Sequence, residues 1–302
     1  MKRILVTGGA GFIGSAVIAH LQKQKHEIFV IDNLSFGNRQ FINIDDSHFF
    51  NADILDEHRL DEIIGKIRPQ YIIHLAAVHF IPYCNQHPYE SSNINIRGTM
   101  HLLKAAQKYT PEKVFFASTA AVYPIYDLAV SESFATGPMD IYGLSKLTGE
   151  HLCNEFFLET DIPVVVCRFF NAFGPNETNP HLIPEIQQQI NDGKRTIELG
   201  NILPKRDFIH TYDMANAISI MIKKLTTGIT TINLGQGEEY AVTEIVNAFE
   251  RILNEKITIE IDEARVRKVE RMHLLADVTK LKSLGWQPAI SIDMGIKTLL
   301  EE

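Results

Sequence analysis

Tyr142 and Lys146 lie four residues apart in IYGLSKLTGEHL, a stretch whose spacing predicts a helix with both side chains on one face. A free tyrosine has a pKa near ~10 and is a poor base at neutral pH. A lysine ammonium beside it favours the phenolate and lowers that value. Such a pair can take the proton from a sugar or alcohol hydroxyl while another group accepts a hydride. Taken alone, Tyr-x-x-x-Lys is common by chance, as a surface tyrosine beside a salt-bridging lysine. Here it follows the strand-like run VFFAST, which ends on Thr119. That is the edge at which open α/β sheets bind ligands, and the Thr119 hydroxyl can share a hydrogen bond with a substrate oxygen. Ser118 would point to the opposite face of the strand.

The hydride acceptor is legible at the start of the chain. The apolar strand KRILV runs into TGGAGFIG, and Asp32 stands eighteen residues past Gly14. Gly8 and Gly11 allow backbone conformations and close approaches that a side chain forbids, and Gly14 lets the next helix pack on the strand. A helix beginning near Phe12 and Ile13 would aim its free N–H groups and positive dipole end at a pyrophosphate. A second strand, EIFVID, ends on Asp32, whose carboxylate is placed to accept hydrogen bonds from adenine-ribose hydroxyls. A 2′-phosphate there would meet like charge, so the pattern favours NAD over NADP. Strand, glycines, helix, strand and acid in this order meet the contextual test for a dinucleotide site.

Strand-like and helix-like segments alternate from residue 3 to about 172. The strands are FFNADIL, YIIHLAA, VFFAS and PVVVCRFF after the first two; the helices are LDEIIGKI, NINIRGTMHLLKAAQKY and IYGLSKLTGEHLCNEFFLE. Apolar runs with little alternation suit a parallel sheet covered on both faces. The expected fold is therefore α/β, a Rossmann-like doubly wound parallel sheet over residues 1–172. A smaller C-terminal α+β substrate-binding lobe is expected over 173–302, with segments around 206–235 returning to the first domain. The formal charge of −8 over 302 residues argues against nucleic acid or an anionic membrane as partner. An anionic substrate must then be held by a local basic cluster. Cys84, Cys153 and Cys167 are scattered, lack metal-ligand spacing and read as reduced thiols in a cytoplasmic protein. No signal peptide, spanning segment or metal site is expected.

The chain resembles the extended short-chain dehydrogenase/reductase family, and within it the NAD-dependent nucleotide-sugar epimerases and dehydratases. The matching pieces are TGGAGFIG, Asp32 with Asn33, ADI at Asp53, HLAA at 74–77, Asn95, STAAVY, YGLSK, RFFNAFGP, RDFIHTYDMANA and LGWQP. The resemblance implies that Tyr142 is the base, that Lys146 binds the nicotinamide ribose and assists it, and that Thr119 completes the triad. It puts Asp53 and Ile54 near adenine, and Leu75, Ala76, Ala77 and Asn95 along the cofactor channel. Asn171 would contact the substrate phosphates, and Arg206 and Arg267 would clamp the pyrophosphate. Guanidinium forks suit phosphate oxygens on independent grounds. The run RKVER departs from the family's pattern after Arg267, so Arg265 and Arg271 stand as alternatives. The family commonly pairs through two helices, here those around 91–108 and 142–158, which implies a homodimer.

Members of this group first oxidise the sugar, usually at C4. By the resemblance, dehydratases carry an acidic residue just after the active-site threonine, and here those positions are Ala120 and Ala121. A triad without a further acid–base group suffices for epimerisation at C4 of a UDP-hexose such as UDP-glucose. His79 and His181 lie near the expected sugar site, as substrate contacts or as acid–base groups. His74 is expected in the core, Phe169, Phe170 and Tyr83 are candidates to flank sugar or base, and Trp286 is expected to anchor the small lobe. The rival readings are a nucleotide-sugar dehydratase or reductase, an alcohol dehydrogenase of non-nucleotide substrates, and a silent NAD-binding protein.

Overall fold

The computed structural model describes residues 1–265 and 271–301. In chain order the first strands are β1 (Arg3–Thr7), β2 (Glu27–Asp32), β3 (Phe49–Asn51), β4 (Tyr71–His74), β5 (Lys113–Thr119) and β6 (Val164–Phe169). Then come β7 (Asn171–Phe173), β8 (Thr196–Leu199), β9 (Lys205–His210), β10 (Ile229–Leu234), β11 (Glu239–Ala241) and β12 (Thr258–Ile261). The large sheet runs β10-β6-β5-β4-β1-β2-β3, every pair parallel. Its strand order reverses between β1 and β4, and the chain ends that diverge there leave a crevice where open parallel sheets bind ligands. Two small sheets, β11-β9-β7 and β12-β8, lie beyond it.

The helices that matter for the crevice are α1 (Phe12–Lys23), α2 (Glu57–Ile67), α3 (Ile81–Gln86), α4 (Pro88–Ser92), α5 (Gly98–Tyr109), α6 (Ile141–Thr160), α7 (Leu182–Asn191) and α8 (Thr211–Lys224). Both faces of the large sheet are covered. Val17, Ile18 and Leu21 of α1 pack with Met214, Ile218 and Met221 of α8 on one face. Ile63 and Ile64 of α2, Leu102 of α5 and Phe156 of α6 pack on the other. This two-sided burial is why the strands read as unbroken apolar runs. Among the described residues no helix is long and apolar enough to cross a membrane. The three cysteines are buried and unpaired.

Three local expectations need correction. The strand YIIHLAA stops at His74: Leu75 N still donates to Thr7 O, and Ala76 then passes over Gly8 at the reversal point. The helix expected from Asn93 opens with a wide π turn over Asn93–Arg97, continuous with α4 and α5, and π turns are frequent at functional sites. Trp286 does not anchor the small lobe. It is fully buried in the core of the large sheet, and its indole N–H donates to the Asp213 carbonyl on α8.

His74 is in the core as expected, its ring held between the hydroxyls of Thr7 (2.7 Å) and Thr99 (3.0 Å). Burial pushes its imidazole down to about 3 from an ordinary 6.5. As pH falls through 6.5 the unfolded chain takes a proton that the folded chain refuses until about 3. The stability His74 contributes above that upper value is therefore lost on acidification, by up to ~1.4 kcal/mol per pH unit. In urea titrations from about pH 6.5 down to 4, His74→Gln should lose stability less steeply than the wild type. Parallel curves would remove this role.

Candidate active site

The crevice widens into a cleft of about 1320 Å³ bounded by the ends of β1, β2, β4, β5 and β6 and by the smaller lobe. Its floor at one end is the glycine turn. Gly8 has φ of +71°, and a Cβ there would lie 2.7 Å from the Ala76 backbone nitrogen, so only glycine lets the two strand ends approach. Gly11 caps α1 with no side-chain hydrogen bond, which leaves the first-turn N–H groups of Phe12, Ile13 and Gly14 facing the cleft. The Asp32 carboxylate accepts from Ala10 N (2.9 Å) and Leu34 N (2.8 Å). Each of its oxygens keeps a second lone pair for a ribose hydroxyl. Asn33 donates to Asp53 at 2.8 Å, and Asp53 in turn accepts from Leu55 N, which holds Ile54 and Leu55 against the cleft. An uncapped helix N-terminus, a turn no side chain could fill and a buried acid at the next strand end fit a dinucleotide such as NAD.

At the middle of the cleft stand Thr119, Tyr142 and Lys146. Asp140 caps α6 by accepting from Gly143 N at 2.7 Å. A Cβ on Gly143 would run into the Ala121 carbonyl, so the absence of one lets α6 close on the turn after β5. That contact brings the Tyr142 phenol beside the Thr119 hydroxyl. Ser118 points the other way as the strand alternation requires, and donates to Glu150. Glu150 also holds Arg168 through Nε (2.9 Å) and Nη2 (2.7 Å), a buried pair that ties α6 to β6. Contrary to expectation, the lysine is not among the groups that shift the tyrosine. Burial pushes the Tyr142 phenol above its ordinary value against the lowering influence of the Thr119 hydroxyl, and burial brings Lys146 down to about 8. The Lys146 ammonium lies 4.5 Å from the centre of the Phe116 ring.

Leu75, Ala76, Ala77 and His79 line the cleft, but Asn95 does not. Its amide accepts from Val78 N (2.8 Å) and donates to Val78 O (2.9 Å) and Ser145 Oγ (3.0 Å). Asn95 thus splices the loop after β4 to α6 and positions both, a role no local pattern announces. Asn171, on β7, reaches the cleft beside Arg206 on β9. The Arg206 guanidinium donates to the Arg271 carbonyl at 2.7 Å, and that of Arg271 donates to Tyr123 O at 2.9 Å. Burial and the neighbouring Arg206 charge lower the Arg271 pKa, so two guanidinium groups share one wall of an otherwise acidic protein. Arg265 also lines the cleft, paired with Glu185 and Asp262, and Arg267 lies outside the described residues. His79, His181 and Glu177 meet farther along the cleft. Burial, His181 and Lys146 bring the His79 imidazole down to about 4. Glu177 was not anticipated: its only signal was a carboxylate in turn-rich NETNPH. Phe169 and Phe170 both line the cleft, Phe170 as a buried residue, and Tyr83 lines it with its ring edge-on to Phe36.

The model of the NAD dependent epimerase/dehydratase family matches residues 4–235. A UDP-glucose 4-epimerase of Bacillus subtilis is 30% identical over 312 residues, covering 94% of this chain and 91% of its own length. The crystal structure of the Thermus thermophilus UDP-glucose 4-epimerase complex with NAD has a TM-score of 0.90 at 26% identity, covering 99% of this chain and 98% of that one. The Thermotoga maritima UDP-glucose 4-epimerase with UDP-glucose also has a TM-score of 0.90, at 27% identity, covering 99% and 97%. A glycine cradle at the strand reversal, a threonine–tyrosine–lysine group beside it and a match over most of the sequence agree: the chain belongs to the NAD-dependent epimerase/dehydratase family.

Proposed function

We propose that the protein is an NAD-dependent 4-epimerase of a nucleotide sugar, acting on a UDP-hexose. The observation that carries this is the Thr119–Tyr142–Lys146 group set in one cleft with the dinucleotide cradle, while Ala120 and Ala121 bring no acid or base beside it. Relatives of similar length that are UDP-glucose 4-epimerases support the nucleotide and the carbon. NAD, when bound, supplies the reversible hydride exchange at C4. Tyr142 Oη takes the proton of the C4 hydroxyl and returns it once the keto sugar has turned its other face. Thr119 Oγ1 holds that same oxygen in line, and the Lys146 ammonium, one helical turn on, favours the phenolate. Arg206 and Arg271, with Asn171, hold the substrate pyrophosphate; Arg267 is a further candidate for that role. The remaining cofactor contacts are the glycine turn, Asp32, Asn33, Asp53, Ile54 and residues 75–77, and His79 and His181 serve the sugar end.

Incubation with UDP-glucose and NAD should give a new chromatographic peak of unchanged mass that co-elutes with UDP-galactose. A product lighter by one water would make the enzyme a dehydratase and His79 the next residue to replace. We also infer a cytoplasmic homodimer joined through α5 and α6. Tyr89, Met100, Leu144 and Leu158 expose apolar surface on and beside these two helices. Light scattering should give twice the chain mass of 34.2 kDa.

A further inference from the structure

No metal was expected from the sequence, yet three donors of a metal-binding kind converge at the sugar end of the cleft. One ligand atom each from His79, Glu177 and His181 lies within 4.8 Å of the other two. They come from two separate parts of the chain. His79 follows β4, and Asn95 fixes the residue before it to the helix that carries Tyr142 and Lys146. Glu177 and His181 belong to the loop before α7, with His181 as the residue that opens that helix.

We propose that His79, Glu177 and His181 form a binding site for a divalent cation of the zinc class, open toward the cleft. Two imidazoles and one carboxylate are a donor set that zinc accepts readily, and three protein ligands leave a fourth position for a water or a substrate oxygen. All three residues line the cleft, so that position faces the substrate. The supporting groups are also in place. Buried Asn179 sets the loop by donating its backbone N–H to Glu177 Oε1 at 2.9 Å. Its side-chain nitrogen sits 3.2 Å from His79 Nε2 and 3.3 Å from Glu177 Oε1, so these two acceptors already turn toward one positively polarised group. The Phe80 ring stands edge-on to His181, 5.4 Å between centres, and restrains that ring. The Lys146 ammonium is an opposing charge that reaches His79.

The inference does not depend on which sugar the enzyme takes, and its test uses no turnover. Protein treated with a chelator and desalted is titrated with Zn²⁺ alone, and bound zinc is measured after a second desalting. About one zinc per chain is expected, with binding at least ~10-fold weaker in both Glu177→Gln and His181→Ala. Retained NAD binding and an unshifted melting midpoint show that each variant is folded. Co²⁺ added to the wild type should give visible absorption bands that Zn²⁺ removes. Zinc bound equally by the wild type and the folded variants would assign it to surface histidines and overturn the site. A wild type that binds no zinc and shows no cobalt bands overturns it without reference to any variant.

Discussion

Tyr142→Phe is expected to lower kcat by about 10³-fold or more while the purified protein keeps its NAD and its melting midpoint. The phenol stands beside Thr119 in the middle of the cleft, and of these two hydroxyls it is by far the more acidic, so it is the one suited to move a proton at the sugar oxygen. Removing one oxygen leaves the ring, its packing and the α6 cap at Asp140 in place. The Thr119 hydroxyl keeps the Ala121 N–H at 3.2 Å, so folding should change little. Chromatographic turnover and NAD content per chain separate the two roles. Activity within tenfold of the wild type, or loss of NAD together with activity, would displace Tyr142 as the base.

Gly14→Ala should cost about 10²-fold in NAD affinity for a purely steric reason. The new methyl would run into the Gly8 carbonyl and stand 2.8 Å from Gly9 Cα, both backbone atoms that cannot rotate aside. The helix must back away from the turn, and the first-turn N–H groups then miss the pyrophosphate. Hydrogen bonds to a charged group contribute ~1.5–3 kcal/mol each, so weakening one or two of them accounts for a change of that size. Helix α1 tolerates alanine at this position in every other respect, so the chain should still fold. Equilibrium dialysis with NAD reads the effect directly. Unchanged affinity would mean that the cofactor does not rest on this turn.

What the sequence alone determined was the chemistry carried by neighbours in the chain. The glycine turn, its helix and Asp32 sit within one βαβ unit, and Tyr142 with Lys146 on one helical face, so strand and helix periodicity suffice to place them. The alternation that turned Ser118 away from Thr119 is equally local. Tertiary structure decided everything that depends on distant segments meeting. Asn95 became a splice between a loop and α6, Arg271 joined Arg206 on one wall, and Trp286 went to the large sheet rather than the small lobe. His79 met Glu177 and His181 across about a hundred residues of chain. The direction of the Tyr142 pKa was also decided there. A lysine four residues away is visible in the sequence, but desolvation depends on what packs around the phenol, and here burial sets the direction.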